Sequence, residues 1–283
     1  MLSQIQFTLT VNAGKWLIAK AISELECIKE AILKGKIILF GGTTVSALSE
    51  ILTGTPLRLS GRITPRGTVT AYQNKEDMPH TMFIYQGKIY DLEKDPPAQD
   101  LLKKIGKSDV VVTGANAYDI YGNACLMAGT HGLGSRNNLL APIHSEGSKL
   151  IIAVGIEKLI PGSVLEAIKY AGRTSSIWSM GSSVGLVPLL GEIITEIEAI
   201  KILVGIEAIV IGRGGINGAE GSSTIVARGD KKSLEKLISL IEWLCQQTLS
   251  GSPDSIKECD RGTKACARHK GCCYKSGKLF SGL

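Results

Sequence analysis

The stretch "KGKIILFGGTTVSALSEIL", residues 34–52, drives four apolar side chains into Gly41-Gly42-Thr43-Thr44 and emerges with helical spacing. A turn from strand to helix of this kind suits an anion such as phosphate. Its glycines let backbone N–H groups approach closely, its threonine hydroxyls add hydrogen bonds, and the helix N-terminus carries partial positive charge. The plainer reading is a tight corner, since the turn lacks the lysine of a P-loop. Two other glycine-rich loops hold groups with chemical potential: "AGTHGLGSRNN" surrounds His131, and "GRGGINGAEGSST" carries Arg213 and Glu220. His131 suits a general acid or a ligand contact, with a structural surface histidine as the alternative. Arg213 reads either as a phosphate contact or as a solvated cation.

A further set lies near the C-terminal end of the sequence, where "CDRGTKACARHKGCCYKSG" holds Cys259, Cys266, Cys272 and Cys273 with His269 among lysines and arginines. Four thiolates suit an iron–sulfur cluster or zinc, and neighbouring cations favour the thiolate. No Cys-x-x-Cys pair is present, and the side chains of adjacent Cys272 and Cys273 diverge. A redox-active or disulfide-bonded tail and a merely basic tail therefore stay open.

The elements that must position these groups follow an α/β rhythm. Residues 14–34 space Leu17, Ile18, Ala21, Leu25, Ile28 and Ile32 as one amphipathic helix ended by Gly35. "KIILF" has the length of a buried parallel strand, and a helix follows over about Val45–Leu52. From Pro56 to Asp91 short alternating runs broken by turn residues predict hairpins. "VVVTGANAYD" reads as a strand running into a loop, "RNNLLAPIHSEG" as a helix and "KLIIAVG" as another buried strand. Alternation of this kind implies a parallel sheet, in which ligands gather at the carboxyl ends of the strands. "FGGTT", "TGANAYD" and "VGIEK" would converge there.

Residues 173–250 read as a second unit. "SSIWSMGSSV" is strand-like, "PLLGEIITEIEAIKIL" helical, "IEAIVIG" and "STIVARG" are strands, and "KKSLEKLISLIEWLCQQ" is a helix capped by Asp230. That order is most of a ferredoxin-like split βαβ. The expected organisation is a Rossmann-like core over 1–172 with a hairpin-rich segment at 56–91, a ferredoxin-like lid over 173–250, and a basic cysteine-rich tail over 251–283.

The composition is compatible with that class. The chain has 283 residues, is 44% hydrophobic, and carries 33 glycines with few aromatics, enough to bury a sizeable core. No stretch approaches a membrane span, and the start lacks a secretory signal's basic flank and long apolar core, so a cytoplasmic protein is expected. The net charge of +6 sits largely in the tail, where seven lysines and arginines from Lys257 onward face Asp254, Glu258 and Asp260. A polyanionic partner such as nucleic acid is therefore expected only through the tail, if at all.

Taken together, "GKWLIAKAISELECIKEAIL", "GKIILFGGTTVSALSEIL" and "SDVVVTGANAYDIYGNACLMAGTHGLGSRNNLLAPIHSEGSKLIIAVGIEKLIPG" resemble the sugar-phosphate isomerase and CoA-transferase superfamily over residues 14–53 and 108–162. That group includes ribose-5-phosphate isomerase A, glucosamine-6-phosphate deaminase, the effector domains of sugar-sensing repressors and methylthioribose-1-phosphate isomerase. The resemblance implies a phosphate grip at Gly41, Gly42, Thr43 and Thr44. It adds ligand contacts from Gly114, Asn116, Gly129, Thr130 and Arg136, and from Lys158 after the next strand.

The departures concern catalysis. Asn116 stands where the isomerases carry an aspartate of their Asp-Gly-Ala-Asp loop, and Asn137 where they carry a glutamate. An asparagine cannot take the proton of an enediol mechanism. Other acids would have to act: Asp119 just beyond the Gly-Ala-Asn turn, Glu157 beside Lys158, or Glu220, whose flanking glycines suit the carboxylate nucleophile of a CoA transferase. Glu220 as a solvated hairpin residue stays open.

The expected function is an enzyme of isomerase or acyl-transferase type acting on a phosphorylated or nucleotide-linked metabolite, as a homo-oligomer. A metabolite sensor like the repressor effector domains is the second expectation, and a metalloprotein using the tail cysteines the third.

Overall fold

Alternation along the apolar strands builds the core. Ile37, Ile38 and Leu39 are fully buried, yet Ile37 and Leu39 belong to one apolar cluster and Ile38 and Phe40 to another. Successive side chains of a strand point to opposite faces. Val110 and Val112 divide from Val111 in the same way, as Ile151 and Ala153 divide from Leu150 and Ile152. "KIILF", "VVV" and "LIIA" are therefore covered on both faces.

The structure, a computed structural model, describes residues 3–59, 61–70, 78–256, 266 and 269–276. Strand β1 (Ser3–Leu9) leads to helices α1 (Val11–Ser23) and α2 (Glu26–Lys34), then β2 (Lys36–Phe40) and α3 (Thr43–Thr53). Two hairpins follow, β3 (Gly61–Thr64) with β4 (Gly67–Thr70) and β5 (Thr81–Tyr85) with β6 (Lys88–Asp91), and then α4 (Pro96–Leu102). Next come β7 (Val110–Gly114), β8 (Ala117–Tyr118) and β9 (Ala124–Ala128). A 3-10 turn at His131–Arg136 continues into α5 (Asn137–Ser145), followed by β10 (Lys149–Ala153), a 3-10 turn at Ile156–Lys158 and α6 (Val164–Tyr170). The remainder holds β11 (Gly185–Leu189), β12 (Glu192–Ile194), α7 (Glu196–Val204), β13 (Glu207–Gly214), β14 (Ser222–Gly229), α8 (Lys231–Cys245), α9 (Pro253–Ile256) and α10 (Cys273–Ser276).

The central six-stranded sheet runs β12-β10-β7-β2-β5-β6. Its first four strands are parallel, and the β5-β6 hairpin closes it antiparallel to β2. Leu17, Ile18 and Ile22 of α1, Val45 and Leu48 of α3, and Ala199 and Ile200 of α7 cover one face. Ala98 of α4, Leu139 and Ile143 of α5 and Leu126 of β9 cover the other. The α/β class read from the sequence is what the chain adopts, and among the described residues no helix is long and apolar enough to cross a membrane.

The second unit differs from the expectation. Residues 173–250 do not form a ferredoxin-like lid, because their strands are shared among three sheets. β11 pairs with β9, and β12 extends the central sheet beyond β10. Only β13 and β14 stay together, and their third strand is β1, paired from Ser3↔Gly229 to Leu9↔Ser223. The cause is visible in β12, whose Ile193 packs on one central core and Ile194 on the other, as a strand inside the main sheet requires. Likewise "PLLGEIITEIEAIKIL" is no single helix: Thr195 caps α7 in a capping box with Glu198, so the residues before it are free to be strand. The helix expected over 14–34 is two helices, broken at Glu24–Leu25, where Lys20 and Lys29 both pair with Glu24. "SSIWSMGSSV" contributes only isolated bridges.

Candidate active site

Parallel pairing fixes where the loops meet. The registers Leu39↔Val112, Ala153↔Gly114 and Ala153↔Ile194 put the ends of β2, β7, β10 and β12 on one edge. The three loops singled out from the sequence therefore share that edge, and the start of α7 joins them. From β2 the sheet grows toward β5 on one side and toward β7, β10 and β12 on the other, so the order reverses between β2 and β7. Such a reversal opens a crevice at the carboxyl edge.

The glycine turn after β2 divides into two parts. Gly41 is a corner: its N–H donates to His80 O at 2.9 Å, and a β-carbon there would stand 2.5 Å from Arg58 O. That amide is spent inside the fold, a correction to its reading as an anion donor. Gly42 caps α3 with an extended backbone and no side-chain cap, and a β-carbon there would meet nothing within 4 Å. Thr43 is half-buried and Thr44 is 3% exposed. An anion at this turn would therefore meet Gly42 and Thr43 first.

A denser group of charges lies at the ends of β10 and β12. Glu196, the first residue of α7, is 4% exposed and accepts the Ile156 N–H through Oε2 at 2.8 Å. Burial, and next the nearby Glu157 carboxylate, push its pKa up to about 7. Lys15 of α1 is half-buried; burial and then the Lys158 charge lower its pKa to about 8, against the pull of Glu157 and Glu196. Burial, reinforced by Glu196, likewise raises the Tyr118 hydroxyl, which stays protonated and keeps an O–H to donate. Arg213 of β13 is close enough to temper both Glu196 and Tyr118.

Two glycines make room for the carboxylates. Gly14 interrupts α1, where glycine costs about 1 kcal/mol against alanine, and a β-carbon on it would lie 2.4 Å from Glu196 Oε1. A β-carbon on Gly155 would fall on Glu157 Oε2, an oxygen that is buried without a hydrogen-bond partner among the described residues. The start of β14 flanks the group, since Gly221 approaches Glu157. Next to it the Ser222 hydroxyl, 4% exposed, also has no partner among the described residues.

The arrangement provides an acid–base group that works near neutrality, an amine that is partly neutral at pH 7, and cations at Lys158 and Arg213. Among the described residues none of Lys15, Lys158 and Arg213 forms an ion pair with Glu157 or Glu196.

The other sequence-derived candidates fall elsewhere. Asp119 is 2% exposed and fully engaged: it accepts from the N–H groups of Tyr121, Asn123 and Val164 and from the Asn123 amide. Burial would raise its pKa, but these hydrogen bonds hold it below the ordinary aspartate value. It shapes the β8–β9 loop and the start of α6, its oxygens taken up by these structural hydrogen bonds. Glu220 is exposed and folds back to accept the Gly218 N–H at 2.9 Å, the solvated hairpin residue of the plainer reading.

Asn116 Oδ1 accepts the Met127 N–H at 2.9 Å and ties the Gly114 loop to β9. Gly129 and Thr130 follow β9, and His131 is exposed at the first position of the 3-10 turn. Because α5 returns the chain to the amino end of β10, that turn lies toward the carboxyl edge. The Arg136 side chain is outside the described part of the structure. In the tail, Cys259 lies outside the described residues, Cys266 and Cys272 are half-buried and Cys273 is buried. Among the described residues no group of three or more His, Cys, Asp or Glu side chains is placed to hold a metal.

Of the charged group, the sequence points to Lys158 and Arg213 as ligand contacts and to Glu157 as a reserve acid, but not to Lys15, Tyr118 or Glu196. The missed signal is Gly14, a glycine inside an otherwise regular helix, next to a lysine. No protein-family model, no curated protein and no solved structure matches this chain.

Proposed function

We propose that this protein is an enzyme that binds a small phosphorylated or nucleotide-linked metabolite at the carboxyl edge of the central sheet and moves a proton on it. Lys158 and Arg213 hold the anion, and Glu196 is the acid–base group. One observation carries this reading: three cations and two carboxylates from α1, the Ile156–Lys158 turn, α7 and β13 converge there without a direct ion pair. Ion pairs would quench such charges; left apart, they favour a ligand that supplies the missing negative charge. The resemblance to sugar-phosphate isomerases supports the same reaction class, with Glu196 as the carboxylate that Asn116 and Asn137 no longer provide.

The test is a thermal-shift screen of phosphorylated sugars, nucleotides and CoA esters, followed by NMR of the stabilising compound in D2O. A ligand present at about a hundred times its Kd adds about 2.7 kcal/mol of stability. The expected result is a raised Tm together with deuterium entering a carbon next to a carbonyl. Glu196→Gln should keep the Tm shift and lose the exchange, and Lys158→Ala with Arg213→Ala should lose the shift. Stabilisation without turnover would favour the sensor, and an unchanged shift in the lysine–arginine variant would overturn the site.

A further inference from the structure

Lys15 differs from Lys36, another half-buried lysine. Lys36 is locked in place, its ammonium donating to Asp109 Oδ2 at 2.7 Å and to Lys104 O at 2.8 Å. Lys15 has no hydrogen bond or ion pair among the described residues. Its side chain is half-buried, and its amine has no structural partner among the described residues. A lysine taken out of water and left unpaired is costly. Beside another cation it becomes a nucleophile, because the neutral amine is favoured.

The charges acting on it come from the Ile156–Lys158 turn, with Glu157 and Lys158, and from α7, with Glu196. Glu196 is fixed between that turn and α1, accepting the Ile156 N–H at 2.8 Å and filling the space beside Gly14, and it interacts in turn with Tyr118 and Arg213. This collection contains the parts for carbonyl chemistry: an amine, a carboxyl that donates a proton, and cations for an anionic substituent.

We propose that Lys15 is a covalent catalytic residue that forms an imine with the carbonyl carbon of an anionic aldehyde or ketone, a deepening that rests on the anion-binding reading above. The neutral Nζ attacks the carbonyl carbon, the N–C bond forms, and the C=O π pair moves to oxygen. One proton passes from nitrogen to that oxygen, giving a neutral carbinolamine. Glu196 in its acid form then protonates the hydroxyl, the C–O bond breaks, and water leaves. The products are a protonated imine with one N–H and the Glu196 carboxylate, so atoms and charge balance. The positive imine draws electrons from the neighbouring carbon, and Glu196, now a base, is in place to take the proton that this acidifies.

The test uses pyridoxal 5′-phosphate, a phosphorylated aldehyde, as the probe on the full-length protein at pH 7, with borohydride reduction, digestion and mass spectrometry. The expected result is labelling of Lys15 at least about tenfold above the average lysine, as a larger neutral fraction dictates. Lys15→Met should abolish that label, and Glu196→Gln should slow it at least about tenfold. A cooperative melt for Lys15→Met with a Tm no lower than wild type shows that it folds. Label spread over exposed lysines, or concentrated on Lys158, overturns the proposal.

Inorganic phosphate separates the two readings. Phosphate that raises the Tm through Lys158 while Lys15 stays unlabelled leaves the anion site standing and removes the imine. Lys15 labelling that neither phosphate nor Lys158→Ala affects leaves the reactive amine and removes the anion site.

Discussion

Glu196 Oε1 occupies the space beside Gly14 that any larger residue's β-carbon would need, at 2.4 Å. A buried carboxylate and a helix glycine are thus one feature. Gly14→Ala should destabilise the protein by about 1–3 kcal/mol through overpacking, although alanine is the better helix former. Combining it with Glu196→Ala should cost less than the two single changes added, as contact between the residues predicts. Thermal melts of the four proteins check this, and additive costs would refute the contact.

Protonation of Glu196 makes stability depend on pH in a definite direction. The folded carboxyl keeps its proton up to about pH 7, whereas its ordinary value is 4.5. Its contribution is therefore complete below about pH 4.5 and is lost as pH rises through about 7, on the order of 3 kcal/mol. Lys15 acts in the opposite sense, since its folded value of about 8 lies below the ordinary 10.5. Its contribution is complete above about pH 10.5 and is lost as pH falls through about 8. Urea unfolding across pH 4–11 should show a minimum between 7 and 8, and Glu196→Gln should flatten the acidic limb.

Far from the site, Asp109 fastens β2 to the loop before β7. It is 1% exposed and accepts from the Lys36 and Gly106 N–H groups and from the Lys36 ammonium. Asp109→Ala should cost about 3–5 kcal/mol, because it strands a buried cation. Adding Lys36→Met should recover part of the loss. Denaturant titration measures both, and the thermal shift produced by a ligand should be the same in the surviving variants.

Asp119 provides the complementary test of position. Asp119→Ala leaves the N–H groups of Tyr121, Asn123 and Val164 without their acceptor and should cost about 1–3 kcal/mol, with Asp119→Asn costing less. Below the melting temperature both variants should keep wild-type deuterium exchange. Loss of exchange with unchanged stability would return Asp119 to the chemistry.

What could be read in the sequence follows from locality. "KIILF", "VVV" and "LIIA" are short, apolar and bounded by glycine, and α8 carries its own cap at Asp230, so neighbouring residues are enough to place them. β12 is only three residues between Gly191 and Thr195, inside an apolar run that also fits a helix. The Thr195–Glu198 capping box was its one local signal. The charged site was harder, because Lys15 and Glu196 look like ordinary polar residues at helix positions. Only the fold shows that both are taken out of water. Gly41 misled for a related reason: a glycine's type does not reveal that His80 O already holds its amide.

The pairing of Ser3 with Gly229 has a consequence for how the molecule is made. On the ribosome β1 emerges more than two hundred residues before its partner strand β14, so it waits unpaired over that length of synthesis. Lys15 waits with it, because Glu196 is also made late. The charged group is therefore not assembled until α7 and β13 have been made, and on the proposed function a fragment ending before α7 should be inert, whatever structure it reaches.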